Sequence, residues 1–213
     1  MKSPVIMAPE AFDFSRLIRA GETIGWAEAT AEPVFLTRML DAQAERCPPF
    51  RVFFALTFSE AFDVGHANVT VTALGGASAG RRFFAGGADN VVPANISDVS
   101  SPVATGLLPI DIVLLQVRGP DETGRYNAGL GIEHLHAAIG RARLVIAQVN
   151  PKLPSTNGDT AIEPGAIDVL VPAAEPPIEL PVRPAGMIDR NIADRVSPIA
   201  QRLSLASALF LRQ

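Results

Sequence analysis

Cysteine is nearly absent from this sequence. One residue of this type, Cys47, occurs among 213 residues, so an intrachain disulfide is excluded. Two prolines follow it directly, and no histidine stands beside it in the sequence to activate the thiol as a nucleophile. We therefore predict that Cys47 is chemically inert.

Long apolar runs and a secretory leader are also lacking. The longest apolar stretch, 107–117, is interrupted by Pro109 and Asp111 and is far too short to span a bilayer. The opening residues show no charged region followed by an apolar core and a small-residue cleavage site. We expect a cytoplasmic protein without a membrane partner.

Positive charge is sparse and scattered. The formal net charge is -4, and the arginines form no basic stripe of the kind that binds a phosphate backbone. Nucleic acid is therefore not an expected partner. The glycine-rich fingerprints of P-loop and dinucleotide-binding proteins are absent as well, which excludes nucleotide sites of those kinds.

The residues that are present favour a folded α/β domain. Hydrophobic residues make up 48% of the chain and charged residues 19%, a balance typical of globular proteins. Apolar, β-branched runs alternate with amphipathic stretches, which predicts an open, mostly parallel sheet with flanking helices. Strands are predicted at 23–27, 51–56, 67–74, 110–117, 144–149 and 167–171, and helices at 33–46 and 132–139.

The last part of the chain differs from the rest. Prolines crowd the segment 172–184 and indicate an extended connection. Beyond it, apolar residues recur at helical spacing, which predicts a terminal amphipathic helix. We therefore divide the chain into an α/β domain, 1–184, and a linker with a terminal helix, 185–213.

Ligands of open α/β sheets bind beyond the carboxyl ends of the strands. The loops after Ala27, Val117 and Val149 are therefore the first places to look for a site. The loop 28–33 ends at a predicted helix start, whose free N–H groups can hold a carbonyl oxygen or a carboxylate. An ordinary strand-to-helix turn has the same pattern, and spacing alone favours that plainer interpretation.

A serine esterase is one alternative. The segment 76–80 reads Gly-Ala-Ser-Ala-Gly, with Ser78 at the nucleophile position and His134 and His136 downstream. A nucleophile elbow must open a helix, yet two glycines at 86–87 interrupt the following segment, so we favour a flexible loop. The two histidines are two positions apart, which places them on different helix faces, and we predict helix-surface roles without a shared metal.

Several ordered blocks, from about Phe12 to Val196, resemble the amino-terminal domain of the acetyl-CoA hydrolase and 4-hydroxybutyrate CoA-transferase family. The blocks are Gly21-Glu22-Thr23-Ile24, Ala31-Glu32-Pro33, Gly86-Gly87-Ala88-Asp89-Asn90-Val91-Val92-Pro93, Leu108-Pro109-Ile110-Asp111, the loop from Gly119-Pro120-Asp121-Glu122-Thr123-Gly124 to Gly131, and Ile146-Ala147-Gln148-Val149-Asn150. The resemblance implies a CoA-transferase-like (NagB/RpiA-like) domain.

The resemblance also implies a chemistry that is shared between two domains. In this family a glutamate of the second domain attacks acyl-CoA and becomes a glutamyl-CoA thioester. No such domain follows Val196 here, so the nucleophile is expected outside this chain. The expected substrate-binding residues are Gly25, Ala31, Glu32, Pro33, Asp121, Gly124 and Asn150.

The expected ligands are an acyl-CoA and a small carboxylate, with coenzyme A as a substrate and no metal or resident cofactor. A second CoA-transferase domain or subunit is the expected partner, because the chain is also similar to the first subunit of two-subunit CoA-transferases. An uncovered interface further predicts a homo-oligomer. Glu28 and Glu32 are further candidates for a nucleophile or a base, although neither matches the family's catalytic glutamate. A remnant that binds acyl-CoA or a partner subunit without turnover is a second alternative, and transferase and hydrolase activity are not distinguished.

Overall fold

The order of the strands along the chain differs from their order in the sheet. The computed structural model of the protein describes residues 3–74, 90–180 and 184–210. Its strands are β1 Val5–Ile6, β2 Thr23–Trp26, β3 Phe50–Phe54, β4 Val69–Leu74, β5 Asn90–Val92, β6 Ile112–Val117, β7 Tyr126–Asn127, β8 Leu144–Val149, β9 Ala161–Ile162 and β10 Val169–Pro172. Eight of them form one sheet in the order β1-β10-β8-β6-β2-β3-β4-β5, and every neighbouring pair is parallel. The predicted α/β class with a parallel sheet is confirmed.

Helices cover both faces of this sheet. They are α1 Val34–Gln43, α2 Ser100–Thr105 and α3 Leu135–Ile139, and a fourth helix, α4 Met187–Phe210, belongs to a separate unit of the chain. Helix α1 packs Leu36 and Leu40 into one apolar cluster with Trp26 of β2. Helices α2 and α3 contribute Val103 and Leu135 to a second cluster on the other face. Parallel strands buried on both faces are typically continuous in apolar residues, as β6 is here.

The predicted helix at 132–139 is shorter in the structure. It begins at Leu135, because Glu133 has a positive φ of 35° that a right-handed helix does not permit. The short strands β1, β5, β7 and β9 and the helix α2 were not predicted. Strands this short show no hydrophobic period, and β7 and β9 form a separate antiparallel pair.

The chain divides into two compact units, Met1–Glu179 and Leu180–Gln213. Their boundary falls within the proline-rich stretch 172–184, a few residues before the predicted division at 184. The second unit contains α4, whose apolar side chains are exposed at Met187, Ile188, Ile192, Val196 and Ile199. Within the described residues, no helix combines the length and the apolar character that a membrane crossing requires.

Candidate functional site

The loop 27–33 connects β2 to α1 at the carboxyl end of the sheet. Its middle is a short 3-10 turn, Ala29–Ala31, and Pro33 stands at the start of α1. The loop lies at the centre of the sheet, because β2 is flanked by β6 and β3. Side chains from the loop after β3 and from β6 form hydrogen bonds with it. This edge of the sheet is the candidate site.

Glu32 is the best-anchored carboxyl group of the loop. Its side chain is buried, and its Oε2 accepts a hydrogen bond from Thr57 Oγ1 at 2.7 Å and one from the backbone N–H of Ser59 at 3.3 Å. Its Oε1 accepts a short bond of 2.5 Å from Ser59 Oγ. Both oxygens are therefore occupied, and Glu32 ties the loop after β2 to the loop after β3.

Gln116 connects the loop 27–33 to the neighbouring strands. Its Nε2 donates to the carbonyl oxygen of Glu32 at 3.3 Å and to that of Thr30 at 3.4 Å. Its Oε1 accepts from Asn150 Nδ2 at 3.3 Å and from Gln148 Nε2 at 3.4 Å. Buried polar groups need such partners, since each unsatisfied group costs about 1–3 kcal/mol. The amide network thus fixes the loop on the ends of β6 and β8.

Asn150 is the far member of this network. It is buried, and its Nδ2 also donates to the carbonyl oxygen of Glu175 at 2.8 Å. Its Oδ1 accepts from the backbone N–H of Lys152 at 3.0 Å, which shapes the turn that follows β8. The structure therefore brings two of the predicted residues, Glu32 and Asn150, together through Gln116.

A second carboxyl group, Glu28, lies at the start of the loop beside His134. Glu28 Oε1 is 3.2 Å from His134 Nδ1, and the two side chains are 2% and 1% exposed. Burial raises the pKa of Glu28 to about 8, the nearby charge of Glu133 adds to this shift, and the amide of Ala55 opposes it. Burial alone lowers the pKa of His134 to about 4. Both groups are therefore held in their neutral forms near neutral pH.

The prediction of a helix-surface role for His134 is wrong. The ring is buried against Phe53, with ring centroids 5.4 Å apart in an edge-to-face arrangement. His134 precedes the first residue of α3, so the helical spacing on which the prediction depended does not apply to it. His136, in contrast, is exposed. Within the described residues, no three His, Cys, Asp or Glu side chains cluster as metal ligands.

The other predicted residues near the loop have packing roles in this structure. Gly25 lies within β2, where a Cβ atom would stand 3.0 Å from Ile110 Cγ2. Ala31 is buried in the cluster under α2 and α3. The carbonyl oxygen of Pro33 accepts the first hydrogen bond of α1, from the N–H of Thr37 at 3.0 Å.

Asp121 and Gly124 belong to a separate, exposed turn. Asp121 Oδ1 accepts bonds from Thr123 and from the N–H of Arg125, and the Thr123 hydroxyl holds the pKa of this carboxyl below its usual value. Gly124 has a φ of 84°, a left-handed backbone conformation that glycine adopts at little steric cost. No hydrogen bond among the described residues joins this turn to Glu32 or Asn150. Ser78, with the segments 76–80 and 86–89, lies outside the described residues.

Sequence analysis did not identify Gln116 or the Glu28–His134 pair. A signal for the first was present, because a glutamine interrupts two otherwise apolar strands at their carboxyl ends. Gln116 and Gln148 are direct partners in the register of β6 and β8. No signal pointed to the pair, since its members are distant in the chain and meet only through the fold.

Residues 4–180 match the model of the acetyl-CoA hydrolase/transferase N-terminal domain, and the chain belongs to this family. The 4-hydroxybutyrate coenzyme A transferase of Clostridium kluyveri is 31% identical over 115 residues, which cover 54% of this chain and 27% of that protein.

Two solved structures share the fold. RipA from Yersinia pestis has a TM-score of 0.75 at 22% identity, over 86% of this chain and 45% of RipA. The 4-hydroxybutyrate CoA-transferase of Porphyromonas gingivalis has a TM-score of 0.64 at 21% identity, over 83% of this chain and 41% of that protein. This chain therefore spans less than half the length of each of these relatives.

Proposed function

We propose that this chain forms one wall of the active site of an acyl-CoA:carboxylate CoA-transferase or acetyl-CoA hydrolase. The observation that carries the proposal is the family match over 4–180, combined with a buried polar loop at the carboxyl end of the central strands. Such an edge is where open α/β sheets bind ligands. The relative from Clostridium kluyveri is named for transfer of coenzyme A, and 4-hydroxybutyrate is itself a carboxylate.

The proposed chemistry needs a second domain or subunit. A glutamate carboxylate from that domain attacks the thioester carbonyl and displaces the thiolate of coenzyme A, which gives an acyl-glutamyl anhydride. The thiolate then attacks the glutamyl carbonyl, so that the acyl group leaves as a carboxylate and the glutamate becomes a thioester of coenzyme A. In this arrangement Gly25, Ala31, Glu32 and Pro33 shape the acyl pocket. Asp121, Gly124 and Asn150 frame the neighbouring loops. Coenzyme A is a substrate, no resident cofactor takes part, and the assembly is a homo-oligomer or a complex with the second subunit.

The surroundings of the two carboxyl groups in this loop, Glu28 and Glu32, support a nucleophile that comes from the second domain or subunit. Both oxygens of Glu32 accept hydrogen bonds, which reduces their availability for attack. Glu28 is buried with a pKa of about 8, so at neutral pH it is mostly protonated, and a protonated carboxyl group is a poor nucleophile.

Borohydride trapping tests the proposal. The purified chain is incubated with acetyl-CoA and then with borohydride, which reduces a glutamyl thioester to an alcohol and leaves a mass change on one peptide. Free coenzyme A and the variants Glu28→Gln and Glu32→Gln serve as controls, and calorimetric titration measures binding of acetyl-CoA to the same sample.

We expect binding of acetyl-CoA without modification of any glutamate. A trapped peptide that is lost in Glu28→Gln or Glu32→Gln would show that the chain carries its own nucleophile. Failure to bind acetyl-CoA would contradict an acyl pocket in this loop.

A further inference from the structure

Glu28 and His134 form a buried polar pair between the loop 27–33 and the start of α3. Glu28 Oε1 and His134 Nδ1 are 3.2 Å apart, and the two side chains are 2% and 1% exposed. Neither the carboxyl oxygens nor the ring nitrogens find a well-aligned hydrogen-bond partner among the described residues. A buried polar group without a partner is costly, and the 3.2 Å separation places each of these two groups within reach of the other.

One shared proton decides whether the pair is stable. A carboxylic acid beside a neutral imidazole is electrically neutral, and its O–H can donate to Nδ1. Loss of that proton leaves a carboxylate in the core beside a neutral ring. A buried charge of this kind is expensive, and movement of the two side chains apart toward water relieves that cost.

The backbone on both sides of the pair is strained. Ala29 follows Glu28 with a φ of 53°, and Glu133 precedes His134 with a φ of 35°. Positive φ values cost a non-glycine residue free energy and persist only where the surroundings enforce them. The Glu28–His134 contact joins these two positions, so it holds the loop 27–33 in its conformation against the start of α3.

We propose that Glu28 and His134 form a proton-dependent latch, a pair of positioning residues that holds the loop 27–33 against the start of α3 and releases it as the pH rises. Opening allows Glu28 to lose its proton to water and allows Ala29 to leave its strained conformation. The latch acts on the loop whether or not an acyl group binds there.

The groups that face Glu28 support this direction. From the start of α3, the charge of Glu133 opposes ionisation of Glu28. From the β3 side the pair meets the ring of Phe53 and the backbone amide of Ala55, and this amide lowers the pKa of Glu28 without offsetting the effect of burial. From its own loop, Glu32 is turned to Thr57 and Ser59. None of these contacts supplies a cation to stabilise an ionised Glu28.

The pH window follows from the two side chains together. Glu28 has a pKa of about 8 in the closed loop and regains its ordinary value of 4.5 when it opens. His134 changes from about 4 to 6.5 on opening. Between 4.5 and 6.5 the two effects cancel, whereas between 6.5 and about 8 only Glu28 contributes. Opening therefore becomes roughly tenfold easier for each pH unit across that upper window.

Amide hydrogen exchange followed by NMR tests the latch on the complete chain. The reporters are the N–H groups of Ala29, bonded to the Leu56 carbonyl at 2.8 Å, and Ala31, bonded to the Glu28 carbonyl at 2.8 Å. We expect their protection factors, corrected for intrinsic exchange, to fall by a factor of roughly ten or more between about pH 6.5 and 8. The N–H of Val113 in β6 reports global opening.

Three variants sharpen the test. Glu28→Gln is neutral at every pH and should abolish the fall above pH 6.5. Glu133→Gln removes the neighbouring charge, which should lower the pKa of Glu28 and reduce the fall in the protection factors. Glu45→Gln changes an exposed glutamate and should leave it unchanged. A fall at Ala29 that persists in Glu28→Gln, or one that merely follows Val113, would overturn the latch.

Imidazole ¹⁵N shifts of the wild-type chain give a second, independent measurement in case a variant does not fold. His136 is exposed and is the internal reference. We expect His134 to keep the shifts of a neutral ring with an unprotonated Nδ1 between pH 7 and 5, because burial lowers its pKa to about 4. Protonation of His134 over this range would contradict a buried pair.

Discussion

His134 Nδ1 lies 3.2 Å from Glu28 Oε1, and this contact joins the loop after β2 to the start of α3. Burial disfavours the charged form of each group, and it therefore shifts their pKa values in opposite directions. It raises the pKa of the carboxyl group and lowers that of the imidazole. The stability of the folded chain should therefore depend on pH in a way that a single variant can reveal.

Replacement of Glu28 by glutamine should change the slope of stability against pH. A carboxyl group whose pKa is higher in the folded state than in the unfolded state stabilises the folded chain. For Glu28 this contribution is complete below the unfolded-state pKa of 4.5 and is lost as the pH rises to the folded-state pKa of about 8. His134 has a lowered pKa and contributes the opposite slope between about 4 and 6.5. We expect the wild-type free energy of unfolding to fall by about 1.4 kcal/mol per pH unit from 6.5 to 8, relative to Glu28→Gln.

Urea unfolding at a series of pH values measures this difference. The comparison with Glu28→Gln cancels the contributions of all other titrating groups. Below pH 6.5 the variant should gain stability with rising pH, since only the His134 slope remains. Parallel curves for the two proteins across the whole range would contradict the assigned pKa values.

Much of the fold could be predicted from the sequence because the central strands are buried on both faces. The continuous apolar runs at Ile112–Val117 and Leu144–Val149 have no exposed face, and such runs indicate parallel strands under helices. By contrast, β1 is two residues long and is defined only by its pairing with β10. A two-residue strand has no period of its own that a sequence pattern could show.

The site was harder to predict because its contacts are non-local. Glu32 was selected through its place in the Ala31-Glu32-Pro33 block, and its partners Thr57 and Ser59 stand in another loop. His134 was misplaced because helical spacing was extended across a turn with positive φ. Gln116 was overlooked although a polar residue inside an apolar strand usually has a buried partner.

Two glycines of the family loop should respond differently to alanine. Gly129 has a φ of 65°, and a Cβ atom there would stand 2.5 Å from Leu153 Cγ, whereas Gly124 has a φ of 84° and open space around it. Gly124→Ala should cost about 1–2 kcal/mol from backbone strain alone. Gly129→Ala should lose a further 1–3 kcal/mol or so, because the methyl group also collides with the core. Thermal unfolding of both variants measures the difference, and equal losses would contradict the collision.

The hydrogen bond from Thr57 Oγ1 to Glu32 Oε2 should stabilise the loop 27–33. Thr57→Val keeps the shape of the side chain and leaves a buried acceptor without one donor, at a cost of about 1–3 kcal/mol. In a double-mutant cycle with Glu32→Ala, which removes the acceptor, we expect a coupling energy of about 0.5–3 kcal/mol. Thr105→Val, on the exposed surface of α2, is the matched control and should change stability by less than about 0.5 kcal/mol. Additive effects of the two loop variants would show that the bond does not form.

Cys47 should react slowly with thiol reagents in the folded protein. Its side chain is buried, and its Sγ lies 3.3 Å from the carbonyl oxygen of Gln43. Burial raises the pKa of the thiol from 9.0 to about 11, with the charge of Asp13 adding to the shift and Arg46 opposing it. Because the thiolate is the reactive form, alkylation near neutral pH should be at least about a hundredfold slower than for a free thiol. Iodoacetamide labelling followed by mass spectrometry measures the rate, with the urea-unfolded chain as control. Labelling of the native chain at the rate of the unfolded one would show that Cys47 is accessible and its thiol unperturbed.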